Sequence, residues 1–313
     1  MTTSNIRQYI SLMRLDHWIK QLFIIPGLLC ACYFTSPEVS ITMCYDIILA
    51  LLATCLVASA NYVINEWLDM ATDKYHPTKR YRSAVRNKLS PAVILLMWLT
   101  LSLAAAIAAA CVNTPLLICV AWLWLMGILY NVKPFRTKDI IYLDVITESV
   151  NNAIRFFIGW FAISTLYLPP ASIVFGYWMM GAYLMAIKRF AEYRMIDNKT
   201  LAGNYRKSFR YYTEPTLIGS AFFYAMLSVF CIGVFLVKYK LELLLFIPFM
   251  IGIYSYYFGL SYKSDSCVQK PEKLYYERRL MLYCMLLLAI FITLMICKIE
   301  FLHILIKDTL IAI

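Results

Sequence analysis

Four sets of polar residues in this chain have the types and spacing to do chemistry on a phosphorylated ligand. The first is Asn61, Asn65, Asp69 and Asp73, each four residues from the next. Four residues advance an α-helix by about 400°, so the set forms one slowly drifting stripe, and Asn65 to Asp73 covers about 12 Å. Pro77 predicts that the helix ends near His76. Asp69 and Asp73 then sit in its last turns, where unpaired carbonyls already make the field negative. Carboxylates there need a compensating cation. A solvated helix end with basic neighbours would supply one. So would a Mg²⁺ ion on Asn65, Asp69 and Asp73, its shell completed by phosphate oxygens. The run His76-Pro77-Thr78-Lys79-Arg80-Tyr81-Arg82 just downstream would hold the rest of such a ligand.

In the second set, Asp144, Glu148, Asn151 and Arg155 are spaced four, three and four. On a helix they stay within about 40° of one another. Two acids, an amide and an arginine on one membrane helix must face an interior cavity, as an ion-pair ladder or as part of a site. A polar loop with Tyr130, Asn131, Lys133, Lys138 and Asp139 precedes them. The third set is Lys188-Arg189-Phe190-Ala191-Glu192. Lys188 and Glu192 can pair at i, i+4. Adjacent cations also fit ordinary anchoring at the inner end of a span. Arg194, Lys199, Arg206, Lys207 and Arg210 follow, and Tyr211-Tyr212-Thr213-Glu214-Pro215 opens the next apolar run. The fourth set, Arg14, His17, Trp18 and Lys20, reads either as an interfacial anchor or as a lipid head-group site.

Helices in a membrane must position these sets. Of 313 residues, 62% are hydrophobic and only 15% charged. So few charges could not cover a soluble surface, and disorder, collagen or a secreted disulfide scaffold is excluded with it. No alternating strands suggest a β-barrel. Nine apolar runs of span length are expected, at about 18–35, 43–68, 90–111, 115–132, 144–166, 171–193, 216–237, 241–262 and 279–297. The predicted class is therefore an all-α polytopic bundle, with residues 1–313 as a single domain. Residues 301–313 are too short to span and are expected at the interface. No cleavable signal is expected.

The net charge of +11 is a matter of sidedness, and nucleic acid is not an expected partner. Of 29 Lys and Arg, all but Lys238, Lys240, Lys298 and Lys307 fall on one side of the nine spans. That side is the cytoplasmic one, which places the N-terminus inside and the C-terminus outside. The longer connections and nearly all ionisable residues share it, so function is expected on the cytoplasmic face. The ten cysteines lie mostly in the apolar runs without a C-x-x-C pair and read as small apolar core residues.

Nine spans, an N-x-x-x-D-x-x-x-D stripe ending the second and a polar cluster ending the sixth resemble the UbiA superfamily of intramembrane prenyltransferases. The likeness covers nearly the whole chain. Within it, the sequence is most similar to the decaprenyl-phosphate phosphoribosyltransferase branch. The residues that carry this are Trp18-Ile19-Lys20, His76-Pro77-Thr78-Lys79-Arg80, Lys188-Arg189-Phe190-Ala191-Glu192, Tyr212-Thr213, Pro271-Glu272 and Arg278. Members that prenylate aromatic acceptors typically carry a second aspartate pair after the sixth span. Lys188, Arg189 and Glu192 stand there instead, which favours a directly bound phosphate over a second metal. Arg82-Ser83 stands where the branch has Arg-Pro.

The resemblance implies transfer of 5-phosphoribosyl from phosphoribosyl pyrophosphate to a polyprenyl phosphate in the plasma (inner) membrane, with Mg²⁺ as cofactor. On this reading Asp69, Asp73, Lys188 and Glu192 are catalytic. Asn65, His76, Lys79, Arg80, Arg82, Tyr130, Lys138, Asp144, Glu148, Arg189 and Tyr212 bind the donor. Arg14, Trp18, Lys20, Asn151 and Arg155 bind the lipid. Assembly into a homo-oligomer stays open. Two other readings share these residues. One is a prenyltransferase joining a polyprenyl diphosphate to an aromatic acceptor. The other is a transporter, against which the crowding of polar residues on one membrane side argues.

Overall fold

A computed structural model of the chain describes residues 3–263, 267–269, 274 and 276–305. Among these, all regular structure is helical. The N-terminal part holds α1 (Thr3–Leu12), a 3-10 segment (Leu15–Ile24) and α2 (Ile25–Thr35). Then follow α3 (Ile41–Asp73), the short α4 (Ser83–Arg86), α5 (Pro91–Ala110), α6 (Thr114–Asn131) and α7 (Leu143–Phe161). The C-terminal part holds α8 (Ala171–Ile196), the short α9 (Lys199–Tyr205), α10 (Glu214–Tyr239), α11 (Ile247–Leu260), α12 (Arg278–Ile296) and α13 (Glu300–Leu305).

Local chemistry explains where the helices start. Pro26, Pro91, Pro115, Pro215 and Pro248 each stand in a first turn, where a missing N–H costs nothing. The side chains of Ser40, Asn113 and Thr213 accept from the backbone N–H of Met43, Leu116 and Thr216, capping α3, α6 and α10.

Eight helical segments are long and apolar enough to cross a bilayer, so the chain is a multi-pass membrane protein. They match eight of the nine expected runs within a few residues, with the first extended back to Ile6. The expected fifth span is α7, 19 residues long. Asp144, Glu148 and Arg155 keep it out of the apolar set, so the number of crossings stands at eight by length and composition. α7 packs against α2, α6 and α8, α3 packs along α5 and α6, and α8 runs beside α10. The charged helix is thus enclosed by apolar ones, as its polar face requires.

Two expectations about the apolar phase change. Only Cys55 and Cys119 of the ten cysteines are buried, while Cys44, Cys111, Cys284 and Cys297 are exposed on the bundle's exterior. In a bilayer the lipid takes the place of a core, so an apolar thiol has no need to face inward. The 3-10 geometry of residues 15–24, entered through Arg14 in a left-handed conformation (φ 49°), removes the i, i+4 relation expected between Arg14 and Trp18. Pro271, Glu272, Lys270, Lys273 and residues 306–313 lie outside the described residues.

Candidate active site

One end of the bundle gathers the last turns of α3, α6 and α8, the first turns of α7 and the loops between them. Two adjoining cavities, of about 280 and about 220 Å³, open there. Arg14, His17, Lys20, Lys79, Arg82 and Lys188 line both. Residues expected from four separate stretches of sequence therefore surround one space.

The α3 stripe lies along the larger cavity, which Asn61, Asn65, Asp69 and Asp73 all line. Asp69 accepts from Lys138 Nζ and, at 3.0 Å, from Arg136 Nη2. Asn65 donates to Asp69 at 3.2 Å and also to Asn131 Oδ1, which in turn accepts from Lys138 at 2.8 Å. Asp73, 1% exposed, pairs with Arg82. Both carboxylates at the negative helix end are thus compensated, as the field there demands. Burial brings the Lys138 pKa down to about 8, against the pull of Asp69. Burial, seconded by the charge of Lys79, drops His76 to about 3. Its Nδ1 accepts from the backbone N–H of Thr78 and Lys79, each at 3.2 Å. The proton therefore sits on Nε2, which is buried beside the smaller cavity with no partner among the described residues. Arg80 lies outside: it is exposed and donates to Tyr81 Oη.

The α8 cluster is arranged differently from the expected Lys188–Glu192 pair. Glu192 accepts from Lys79 at 2.7 Å and from Arg189 at 3.0 Å. Lys188 faces both cavities and makes no ion pair among the described residues. Arg189, i−3 to Glu192 and locked by three acids, fills the place that Lys188 was expected to take. Those acids are Glu192, Glu148 and, at 3.4 Å, Asp144. Tyr130 donates to Glu148 at 2.8 Å. Asp144 stands behind the site and outside the cavity walls. It is fully buried, accepting from Ser208 at 3.1 Å and Tyr212 at 2.8 Å, and it lies 3.6 Å from Arg206. Tyr212, also fully buried, accepts in turn from the Tyr142 N–H at 2.7 Å. Burial and the charge of Asp144 push its hydroxyl pKa well up. Asp144 and Tyr212 therefore position Arg189 and the 206–212 loop and reach no ligand space.

The N-terminal set separates. Arg14 pairs with buried Glu66 at 3.5 Å and Lys20 sits 3.1 Å from His17 Nδ1, and all but Glu66 line the cavities. Trp18 turns away and donates to Ser59 Oγ at 2.9 Å. Asn151 and Arg155 line the larger cavity at its deep end. Arg155 donates to Gln21 at 2.8 Å and to Asn152 at 3.2 Å.

Asp69 and Asp73 offer hard oxygens one turn apart, with an amide one turn behind. That donor set suits Mg²⁺. Arg82, Arg136 and Lys138 neutralise the pair in this structure, so a metal would bind there in their place or together with an anionic ligand. Among the described residues no three His, Cys, Asp or Glu converge. A magnesium ion here would be held by two carboxylates, the Asn65 amide and the phosphate oxygens of its ligand.

Arg206, Tyr205, Arg136 and Asn131 belong to this centre, although their spacing in the sequence assigns them no role in it. Lys79 lies over the Tyr205 ring and Arg206 donates to Tyr130 at 3.1 Å. They stand on loops or at helix ends, where no period marks one cation among several as the inward one. Asn131 alone carried a signal, as an amide closing an apolar run beside Tyr130.

The UbiA prenyltransferase family model matches residues 23–286. Among characterised sequences, the chain is 27% identical over 224 residues to the decaprenyl-phosphate phosphoribosyltransferase of Mycolicibacterium smegmatis. That match spans 66% of this chain and 63% of the relative. It is 35% identical over 83 residues to the nodulation protein NoeC of Azorhizobium caulinodans, spanning 26% of this chain and 25% of that one. The chain thus aligns with less than two thirds of either relative's length. Among solved structures, a UbiA homologue from Archaeoglobus fulgidus bound to GPP and Mg²⁺ superposes with a TM-score of 0.68 at 18% identity, over 90% of this chain and 99% of the other. The same homologue bound to DMAPP and Mg²⁺ gives 0.68 at 17%. These likenesses show the fold.

Proposed function

The chain belongs to the UbiA prenyltransferase family, and on that premise we propose that it transfers 5-phosphoribosyl from phosphoribosyl pyrophosphate to a polyprenyl phosphate. The observation that carries this reading is Lys188. It lines both cavities and makes no ion pair among the described residues, at the place where prenylating members hold carboxylates for a second metal. A lysine there binds a phosphate directly. The identity to a relative named as a phosphoribosyltransferase supports the same reading.

In the proposed reaction the bond from ribosyl C1 to the pyrophosphate oxygen breaks, and an oxygen of the lipid phosphate bonds to C1. Pyrophosphate leaves with the electron pair. The acceptor is already ionised near neutral pH, so no strong general base is needed. Magnesium on Asn65, Asp69 and Asp73 would supply charge for the departing pyrophosphate. Lys79, Arg82 and Lys188 stabilise the same growing charge, and the neutral His76 donates through Nε2. Glu192, held by Lys79 and Arg189, puts negative charge near the oxocarbenium-like ribosyl centre. Glu148, Tyr130 and Lys138 fix the walls around the donor. Arg14 and Lys20, at the shared rim, take the lipid phosphate, while its chain stays in the bilayer. The donor enters from the cytoplasm, on the basic face of the plasma membrane, and the whole chain works as one catalytic unit.

The test is incubation of purified protein with Mg²⁺, polyprenyl phosphate and either phosphoribosyl pyrophosphate or a polyprenyl diphosphate with an aromatic acceptor, followed by product mass. A phosphoribosylated lipid is expected, with kcat/KM reduced about 100-fold or more in Lys188→Ala. A prenylated aromatic product instead would overturn the reading.

A further inference from the structure

Arg155, at the deep end of the larger cavity, is a cation that no carboxylate answers. Arg14, Arg82, Arg189 and Arg206 line the same space, and each pairs with an acid. Arg155 makes no ion pair among the described residues. Its two partners are the neutral side-chain oxygens of Gln21 and Asn152. A charge on a membrane helix without a counter-ion is costly, and such residues mark ligand sites and ion paths.

The guanidinium is held in place and open on one edge. Nε donates to Gln21 at 2.8 Å and Nη1 to Asn152 at 3.2 Å. Gln21 is fully buried on the N-terminal 3-10 segment. A Cβ on Gly181 would stand 2.2 Å from Asn152 Nδ2, so glycine there leaves Asn152 its place. Two of the three nitrogens are thus fixed. Nη2 has no protein partner among the described residues and is not enclosed by packing. The side chain as a whole is half-buried and borders the cavity.

Its depth matters as much as its charge. Arg155 follows Glu148 by seven residues, about 10 Å along α7. Its side chain leans back towards the helix N-terminus, as the contact with Asn152 three residues earlier shows. The guanidinium therefore stands about one turn deeper than Glu148. Asn61, Tyr62, Asn151 and Asn152 line the cavity at this end, and none of them carries a charge that would repel an anion. A planar fork with two nitrogens fixed and a third free suits the oxygens of a phosphate monoester. Two such groups take part in the reaction proposed above, the 5-phosphate of the donor and the phosphate of the lipid. Arg14 and Lys20 meet the second at the rim. A pentose with its pyrophosphate at the mouth would carry the first inward.

We propose that Arg155 anchors a phosphate-monoester subsite at the deep end of the cavity and there takes the 5-phosphate of the pentosyl donor. This rests on the reading of the chain as a phosphoribosyltransferase and adds what separates its donor from an unphosphorylated pentosyl one. It also moves Arg155 from the lipid side, where the sequence placed it, to the donor side.

The experiment compares phosphoribosyl pyrophosphate with ribosyl pyrophosphate lacking the 5-phosphate, in the wild type, Arg155→Gln and Arg155→Lys, with the polyprenyl phosphate concentration also varied. Thermal stabilisation by ribose 5-phosphate and by Mg²⁺-pyrophosphate is followed in each. The wild type should prefer the 5-phosphorylated donor about tenfold or more in kcat/KM, the scale of one hydrogen bond to a charged group. Arg155→Gln should lose that preference through the phosphorylated donor alone, and Arg155→Lys, which keeps the charge without the fork, should regain part of it. Ribose 5-phosphate should stabilise the wild type and not Arg155→Gln, while Mg²⁺-pyrophosphate stabilises both. An undiminished preference in both variants would overturn the proposal, and so would equal loss of both donors with stabilisation by ribose 5-phosphate intact, which marks a packing residue. A raised KM for polyprenyl phosphate with the donor preference kept would give the subsite to the lipid phosphate and overturn the donor assignment. If the wild type uses neither ribosyl donor and instead prenylates an aromatic acceptor, the underlying reading falls, and the donor assignment with it.

Discussion

Lys79, on the loop after α3, donates at 2.7 Å to Glu192 near the end of α8, and its ammonium lies 4.7 Å from the centre of the Tyr205 ring. This contact joins two polar clusters more than a hundred residues apart, with Lys79 lining both cavities and Glu192 the smaller one. Glu192 is 1% exposed, so breaking the pair from one side leaves a buried charge less well answered. A double-mutant cycle of Lys79→Met and Glu192→Gln should show coupling of at least about 1 kcal/mol in thermal unfolding. Strict additivity would mean that the two helix ends are held together by other contacts.

Asp69→Asn and Asp73→Asn should each keep the fold and lower turnover by about 100-fold or more, because both carboxylates are proposed to carry the Mg²⁺ of the donor. Asp69→Asn should also loosen Lys138 and Arg136, whose shared partner it removes. Turnover assayed against Mg²⁺ concentration decides the matter. Near-normal rates at saturating Mg²⁺ would remove these residues from the metal site.

His76 gives a pH signature. Its folded pKa of about 3 lies below the ordinary value of 6.5, so the unfolded chain takes up the proton first as the solution is acidified. The stability that neutral His76 permits is complete above pH 6.5 and is lost as the pH falls towards 3. Between pH 6.5 and 5 the loss amounts to about 2 kcal/mol. Melting curves at pH 7.5 and pH 5 should show a larger drop for the wild type than for His76→Gln. Parallel drops would mean that His76 takes a proton while folded.

The legible part of this site was the part written in helical period. Asn65, Asp69 and Asp73 share a face of α3, and Glu148, Asn151 and Arg155 share one of α7. In each case the spacing named residues that line one cavity. Asp144 fits the same period yet lies behind the cavity. Period fixes an angle around the axis and not how far along it the space extends. The pairing of Arg189 rather than Lys188 with Glu192 was hidden for another reason. On a helix i−3 and i−4 partners are equally near, and only the acids contributed by α7 decide which cation turns inward. Arg136, Tyr205 and Arg206 reach the centre from loops, whose course no local pattern records. The eight apolar spans needed nothing beyond length and hydropathy. α7 needed the opposite inference, that a charged helix of span length must be enclosed.

The last prediction separates two neighbours in the N-terminal segment. Lys20 and Trp18 were expected to serve the lipid head group together. The 3-10 geometry of residues 15–24 turns them to different surroundings. Lys20 lines both cavities, while the Trp18 indole donates to Ser59 on α3. Ser59 passes the contact on by donating to the Met13 carbonyl at 2.9 Å, so Trp18 braces the N-terminal segment against the bundle. Lys20→Ala should therefore raise the KM for polyprenyl phosphate about tenfold, the scale of one lost charge-assisted hydrogen bond, and leave Mg²⁺-dependent binding of phosphoribosyl pyrophosphate unchanged. Trp18→Phe, which keeps the ring and loses the donor, should lower Tm by a few degrees with both KM values intact. Steady-state kinetics with each substrate varied, beside melting curves of the same preparations, read both outcomes. A Lys20→Ala protein with unaltered acceptor KM and kcat would return that lysine to the role of an interfacial anchor.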